Sequence, residues 1–171
     1  MMDVGAAAFW VIVLFVVHEF EEIIRIRPWI DRHRDDPRLA RDVWIRRQLS
    51  YPSTEAIAVM IGEEIILFSL VLAAAVWAGA LPVIIAAASL NSIHLVGHLV
   101  FAARVKAWNP GSITAAITLP LNIAVIVLAC ISGLDLLLLG LATFILGAGF
   151  AANLWQLHRH AGDIQRSLFA R

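Results

Sequence analysis

Residues 4–24 read VGAAAFWVIVLFVVHEFEEII. The run is apolar as far as His18, and as a helix rising about 1.5 Å per residue it spans roughly 30 Å of hydrocarbon. Its last two turns then carry what a plain anchor would not, the sequence His18-Glu19-Phe20-Glu21-Glu22. Met1-Met2-Asp3 ahead of it lacks the positive n-region of a secretory signal, and no small-residue cleavage site follows, so the run reads as a retained helix.

Four more runs of spanning length follow, predicted at about residues 54–77, 82–103, 113–131 and 136–157. Pro52-Ser53-Thr54-Glu55 opens the second with a hydroxyl cap and an acidic first turn. Pro82 suits the first turn of the third, and Pro110-Gly111 the middle of a type II turn before the fourth. Pro120 should kink the fourth, while Gly140, Gly147 and Ala151 give the fifth small faces for close packing. With 61% hydrophobic and 15% charged residues and a mean hydropathy of +0.84, the 171-residue chain cannot clothe a soluble core. The expected fold is all-α: a polytopic membrane protein, five transmembrane helices in one bundle and one domain over residues 1–171. Cys130 has no partner in the chain, which excludes an intrachain disulfide, and reads as a small buried hydrophobe.

The formal charge is zero, yet the charges are segregated. Residues 25–50 form a basic loop with eight arginines and four aspartates, in which residues 42–48 suit a short interfacial helix. Five spans put this loop, the Arg104/Lys106 pair and the tail from Arg159 to Arg171 on one side; an even number would split them. The positive-inside rule makes that side cytoplasmic and the N-terminus external. Anionic lipid headgroups account for the basic loop, and nucleic-acid binding has no support.

Polar residues inside the spans share an estimated depth. His18, Glu63, Glu64, His94, His98, Asn122 and Asn153 lie about five to ten residues from the basic ends of their helices, roughly 8 to 15 Å in. His18 with Glu21 and Glu22, and Asn91 with His94 and His98, have the spacing of single helical stripes. An ionised carboxylate at mid-bilayer costs about 2.5 to 3.5 kcal/mol even on the lenient insertion scale, and no basic residue shares these depths. Protonation, snorkelling or a bound cation must neutralise Glu21, Glu22, Glu63 and Glu64. Histidine with carboxylate suits zinc, iron or manganese. The expected metal ligands are His18, Glu22, Glu63, His94 and His98, holding one or two ions of zinc or iron, with Glu21, Glu64, Asn91 and Asn122 in catalytic roles. The ExxH spacing of dinuclear carboxylate bundles is absent.

His18-Glu19-Phe20-Glu21-Glu22 resembles the signature of the HxxEE-motif family, multi-spanning bacterial membrane proteins without an assigned function. Glu63-Glu64, the Asn91, His94 and His98 stripe, Pro110-Gly111 followed by Thr114, and Asn122 are similar to its recurrent positions in the same order. The resemblance covers most of residues 18–122 and implies that these residues form a site; it implies no reaction.

Three function classes fit. A metal-dependent membrane enzyme, hydrolase or oxidoreductase, would act on a lipid or other hydrophobic small molecule. A divalent-cation or proton-coupled transporter would bind cargo at the same carboxylates, but five short helices without an inverted repeat would need a homodimer to form a pathway. A small assembly protein would use the polar residues to fix helix packing. No serine nucleophile motif, phosphate-binding glycine loop or HExxH is present, so the enzyme class is favoured by the His/Glu inventory alone.

Overall fold

The computed structural model describes residues 2–39 and 51–170. They form five helices: α1 (Val4–His33), α2 (Thr54–Trp77), α3 (Leu81–Val105), α4 (Ser112–Ile131) and α5 (Leu136–Phe169), with a 3-10 turn at Pro37–Leu39. All five are long and apolar enough to cross a membrane, and the chain is a polytopic five-helix membrane bundle. The expected interfacial helix at residues 42–48 lies outside the described residues.

Helix ends follow the capping chemistry. Asp3 accepts from the Ala6 amide, Ser53 from Ala56, and Asp135 from Leu137 and Leu138. Gly79 and Gly111, at φ 64° and 81°, take the left-handed conformations that allow the tight turns before α3 and α4. Two helices outrun the sequence expectation. Helix α1 continues past Ile24 through Pro28 to His33 because Ile26, Trp29 and Ile30 keep one apolar stripe, buried with Leu39, Ile57 and Ile61. Helix α5 continues past Leu157 to Phe169, and Gln165 on its last turns accepts from the Ser53 amide at 2.9 Å. That contact also places the start of α2 beside the end of α5, at the end of the bundle that carries Arg25, Arg104 and Arg159.

The interior has two apolar clusters. The larger one joins Ala7, Val11 and Phe15 of α1 to Phe68 and Leu72 of α2, Ile84, Ile85, Ala87 and Ala88 of α3, and Val125 and Ala129 of α4. Its alanines let the backbones approach closely, as helices in lipid require. The smaller cluster lies at the basic end around Ile26, Trp29 and Ile30. On α1 the stretch from His18 to Glu22 falls between Phe15 and Ile26, so the polar residues occupy the gap between the two clusters. Helix α5 is peripheral: Ala161 is its one buried residue, and Leu137, Leu141, Phe144 and Ile145 face outward. Gly147 does serve close packing, since a Cβ there would lie 3.2 Å from Leu90, whereas Gly140 faces open space. Cys130 is exposed on the outer face of α4 rather than buried, a position that hydrocarbon satisfies as well as a core does.

Candidate metal centre

The polar gap is built from three helices and one turn. His18 and Glu22, one turn apart on α1, meet His94 and His98, one turn apart on α3. One donor atom from each lies within 4.8 Å of all the others. Glu22 Oε1 is 2.8 Å from His98 Nε2, 3.8 Å from His18 Nε2 and 3.9 Å from His94 Nε2. The Nε2 atoms of His94 and His98 are 3.1 Å apart. Ligands of a tetrahedral ion with bonds of about 2.0 to 2.1 Å sit roughly 3.3 Å from one another, inside this range.

The second nitrogen of two rings fixes their tautomers. His98 Nδ1 lies 2.9 Å from the Pro110 carbonyl, which can only accept, so Nδ1 carries the proton. His18 Nδ1 lies 3.1 Å from Thr114 Oγ1, and the Thr114 hydroxyl gives its own hydrogen to Glu21 Oε2 at 2.6 Å. The hydroxyl oxygen therefore accepts from His18 Nδ1–H. Both rings then turn an Nε2 lone pair toward Glu22 Oε1. His18 Nε2 is fully buried and has no hydrogen-bond partner among the described residues. Lone pairs converging on a carboxylate repel one another unless a cation lies between them. A proton on His98 Nε2 would satisfy Glu22 but would leave His18 Nε2 orphaned; one metal ion satisfies all four donors at once.

The turn before α4 closes this cluster on the basic side. Asn109, Pro110 and Gly111 are buried, and the Ser112 amide donates to Asn109 O at 3.1 Å, completing the type II turn. A Cβ at Gly111 would lie 2.7 Å from the His98 ring and 2.9 Å from Glu22 Oε1. Gly111 caps α4 without a side chain of its own. Glu21 supplies the missing cap from α1, accepting from the Thr114 amide at 2.7 Å as well as from its hydroxyl. Arg25 holds the other Glu21 oxygen at 2.9 Å.

On the opposite side the cluster borders a cavity of about 540 Å³ between α1, α2, α3 and α5. The His94 side chain is 45% exposed, against 0%, 8% and 12% for His18, His98 and Glu22, so access to the donors runs past His94. Glu19, Glu64, Asn91 and Asn153 share the cavity wall.

A family model described as "protein of unknown function with HXXEE motif" matches residues 9–125. The chain belongs to the HXXEE family. The three letters of that motif are His18, Glu21 and Glu22, and in this HXXEE protein they divide the labour: His18 and Glu22 present donors, while Glu21 ties α1 to α4 behind them. Comparisons with curated proteins and with solved structures found no match.

The structure brings together four of the five expected ligands and leaves out Glu63. That residue faces away from the cluster, is exposed, and accepts from Asn153 Nδ2 at 2.9 Å. Of the expected catalytic residues, Glu64 and Asn91 reach the cavity. Glu21 does not, because both of its oxygens are engaged by Arg25 and Thr114. Asn122 does not either; it is buried in α4, with Nδ2 3.4 Å from the Thr118 carbonyl. Sequence reasoning ranks Glu19 below Glu63 and Glu64 because it projects about 100° from His18, yet it is buried against the cavity. Its i, i+3 relation to Glu22 was the available signal.

Proposed function

We propose that this protein is a metal-dependent integral membrane enzyme that acts on a hydrophobic small molecule at the cavity beside His94. The observation that carries the reading is the convergence of three imidazole nitrogens and one carboxylate oxygen, with the Nε2 of His18 buried and unpartnered, at the edge of a space large enough for a substrate. His18, Glu22, His94 and His98 would hold one zinc or iron ion, which supplies a Lewis acid in a water-poor site. Glu64 and Glu19 stand on the cavity wall where they can take or return a proton, and Asn91 can orient a polar group of the substrate. Glu21 and Thr114 fix His18 from behind. The basic end of the bundle faces the cytoplasm of a bacterial cell in this reading, in keeping with its arginines.

The test is elemental analysis of detergent-purified protein carrying no histidine tag and given no added metal. About one zinc or iron per chain, lost in His94→Ala and in His98→Ala, is the expected result. Folded, metal-free wild type that also fails to take up either ion when supplied would overturn the reading. Zinc would favour hydrolysis, and iron would favour oxidation chemistry.

A further inference from the structure

The cavity wall holds polar groups that the four metal donors leave unused. Glu19 is 3% exposed and Asn91 4%, and both line the cavity. Asn91 Oδ1 and Nδ2 have no hydrogen-bond partner, and neither Glu19 nor Glu64 has a hydrogen-bond or ion-pair partner among the described residues. Buried amides and carboxylates left in this state are costly, so a site of this kind is completed by its ligand. Glu19 comes from α1 and Glu64 from α2, and both line this one cavity.

The charge of the wall is one-sided. No lysine or arginine lines the cavity among the described residues. Glu19, Glu22 and Glu64 therefore have no cationic side chain beside them in the cavity other than histidine. Apart from Tyr51, Asn153 and the histidines, the rest of the wall is apolar. Phe15 and Phe68 stack at 4.2 Å below the carboxylates, with Phe150 5.7 Å from Phe68, and Ile57, Met60 and Ile61 rise above them toward the basic end. A volume of about 540 Å³ suits one small molecule.

We propose that the cavity binds a hydrophobic primary amine, its ammonium group between Glu19 and Glu64 and its single hydrocarbon chain along Ile57, Met60 and Ile61. The proposal rests on the metal-enzyme reading and names the substrate class for it. An ammonium group supplies one positive charge and three N–H donors, which matches two carboxylates and the Asn91 carbonyl oxygen. A carboxylate or phosphate of the same chain length would meet like charge. An alcohol brings one donor and no charge to pair with a carboxylate.

The probes are octylamine, octanol and octanoate, added to metal-analysed protein in detergent and counted by native mass spectrometry. Octylamine should bind once per chain and at least tenfold more tightly than octanol, with octanoate not retained. Glu19→Gln should weaken octylamine at least tenfold while leaving the metal content unchanged, and Glu64→Gln serves as the second variant if the first does not fold. Equal retention of octanol or octanoate, or unchanged amine binding in the folded variant, would overturn the proposal. So would two metal ions per wild-type chain, because the second would claim the same carboxylates. Metal measured in the same samples separates the two claims: one ion with no preference for the amine sinks only the amine, and no ion even after zinc and iron are supplied sinks the enzyme reading.

Discussion

His18 keeps its lone pair aimed at Glu22 because a run of contacts behind it leaves the ring one tautomer: Arg25 holds Glu21, Glu21 takes the Thr114 hydrogen, and Thr114 takes the His18 proton. Replacing Thr114 by valine removes the acceptor and frees the ring to turn. The variant should bind metal about 10- to 100-fold more weakly, measured by competition with a chromophoric chelator, while Thr114→Ser should stay near wild type. Equal loss in both variants would mean that Thr114 serves packing and not orientation. Glu63→Gln should leave metal content unchanged, because Glu63 faces Asn153 and not the donors; loss of the ion in a folded Glu63→Gln protein would return it to the ligand set. At this scale the sequence carried the histidines clearly, through the i, i+4 spacing of His94 and His98 and the depth they share with His18. Glu63 and Glu64 could not be told apart, since neighbours on a helix point about 100° apart and only packing decides which one turns inward. Glu21 and Glu22 posed the same difficulty, and the decisive fact, a threonine 93 residues further on, has no local signature.

The turn from Asn109 to Gly111 is the element on which the cluster leans. Alanine at Gly111 meets two obstacles, a φ of 81° that L-residues resist and a Cβ within 2.9 Å of His98 and Glu22. Gly111→Ala should cost at least about 2 kcal/mol and release the ion, read as a lower unfolding temperature in detergent together with reduced metal content. A variant that keeps both would show that the turn can move away from the donors. The five helices and this turn were legible in advance because apolar length and Pro-Gly chemistry are local properties. Helix ends were not. The reading of α1 stopped at Ile24, although Ile26, Trp29 and Ile30 carry the stripe onward, and that of α5 stopped at Leu157, although the helix continues to Phe169. Charge marks where a helix leaves hydrocarbon, not where its hydrogen bonding ends.

Across the whole molecule, the ends of α1, α3 and α5 and the starts of α2 and α4 gather the arginines at one end of the bundle. With Cys130 replaced by alanine, single cysteines at the exposed positions Arg34, Trp108 and Ser167 should resist a membrane-impermeant maleimide in intact cells, and one at exposed Ser132 should react. Labelling of any of the first three from outside would reverse the proposed orientation.

The buried turn and the exposed edge of His94 together make the ion's surroundings unequal on its two faces. An ion held there exchanges through a greasy antechamber rather than through water. Removal should then depend on the chelator's solubility in oil more than on its strength. A planar, membrane-soluble chelator such as phenanthroline should strip the protein at least tenfold faster than an equally strong polyanionic one. Equal stripping rates, followed by the loss of metal over time, would show that the ion has a second, aqueous route out.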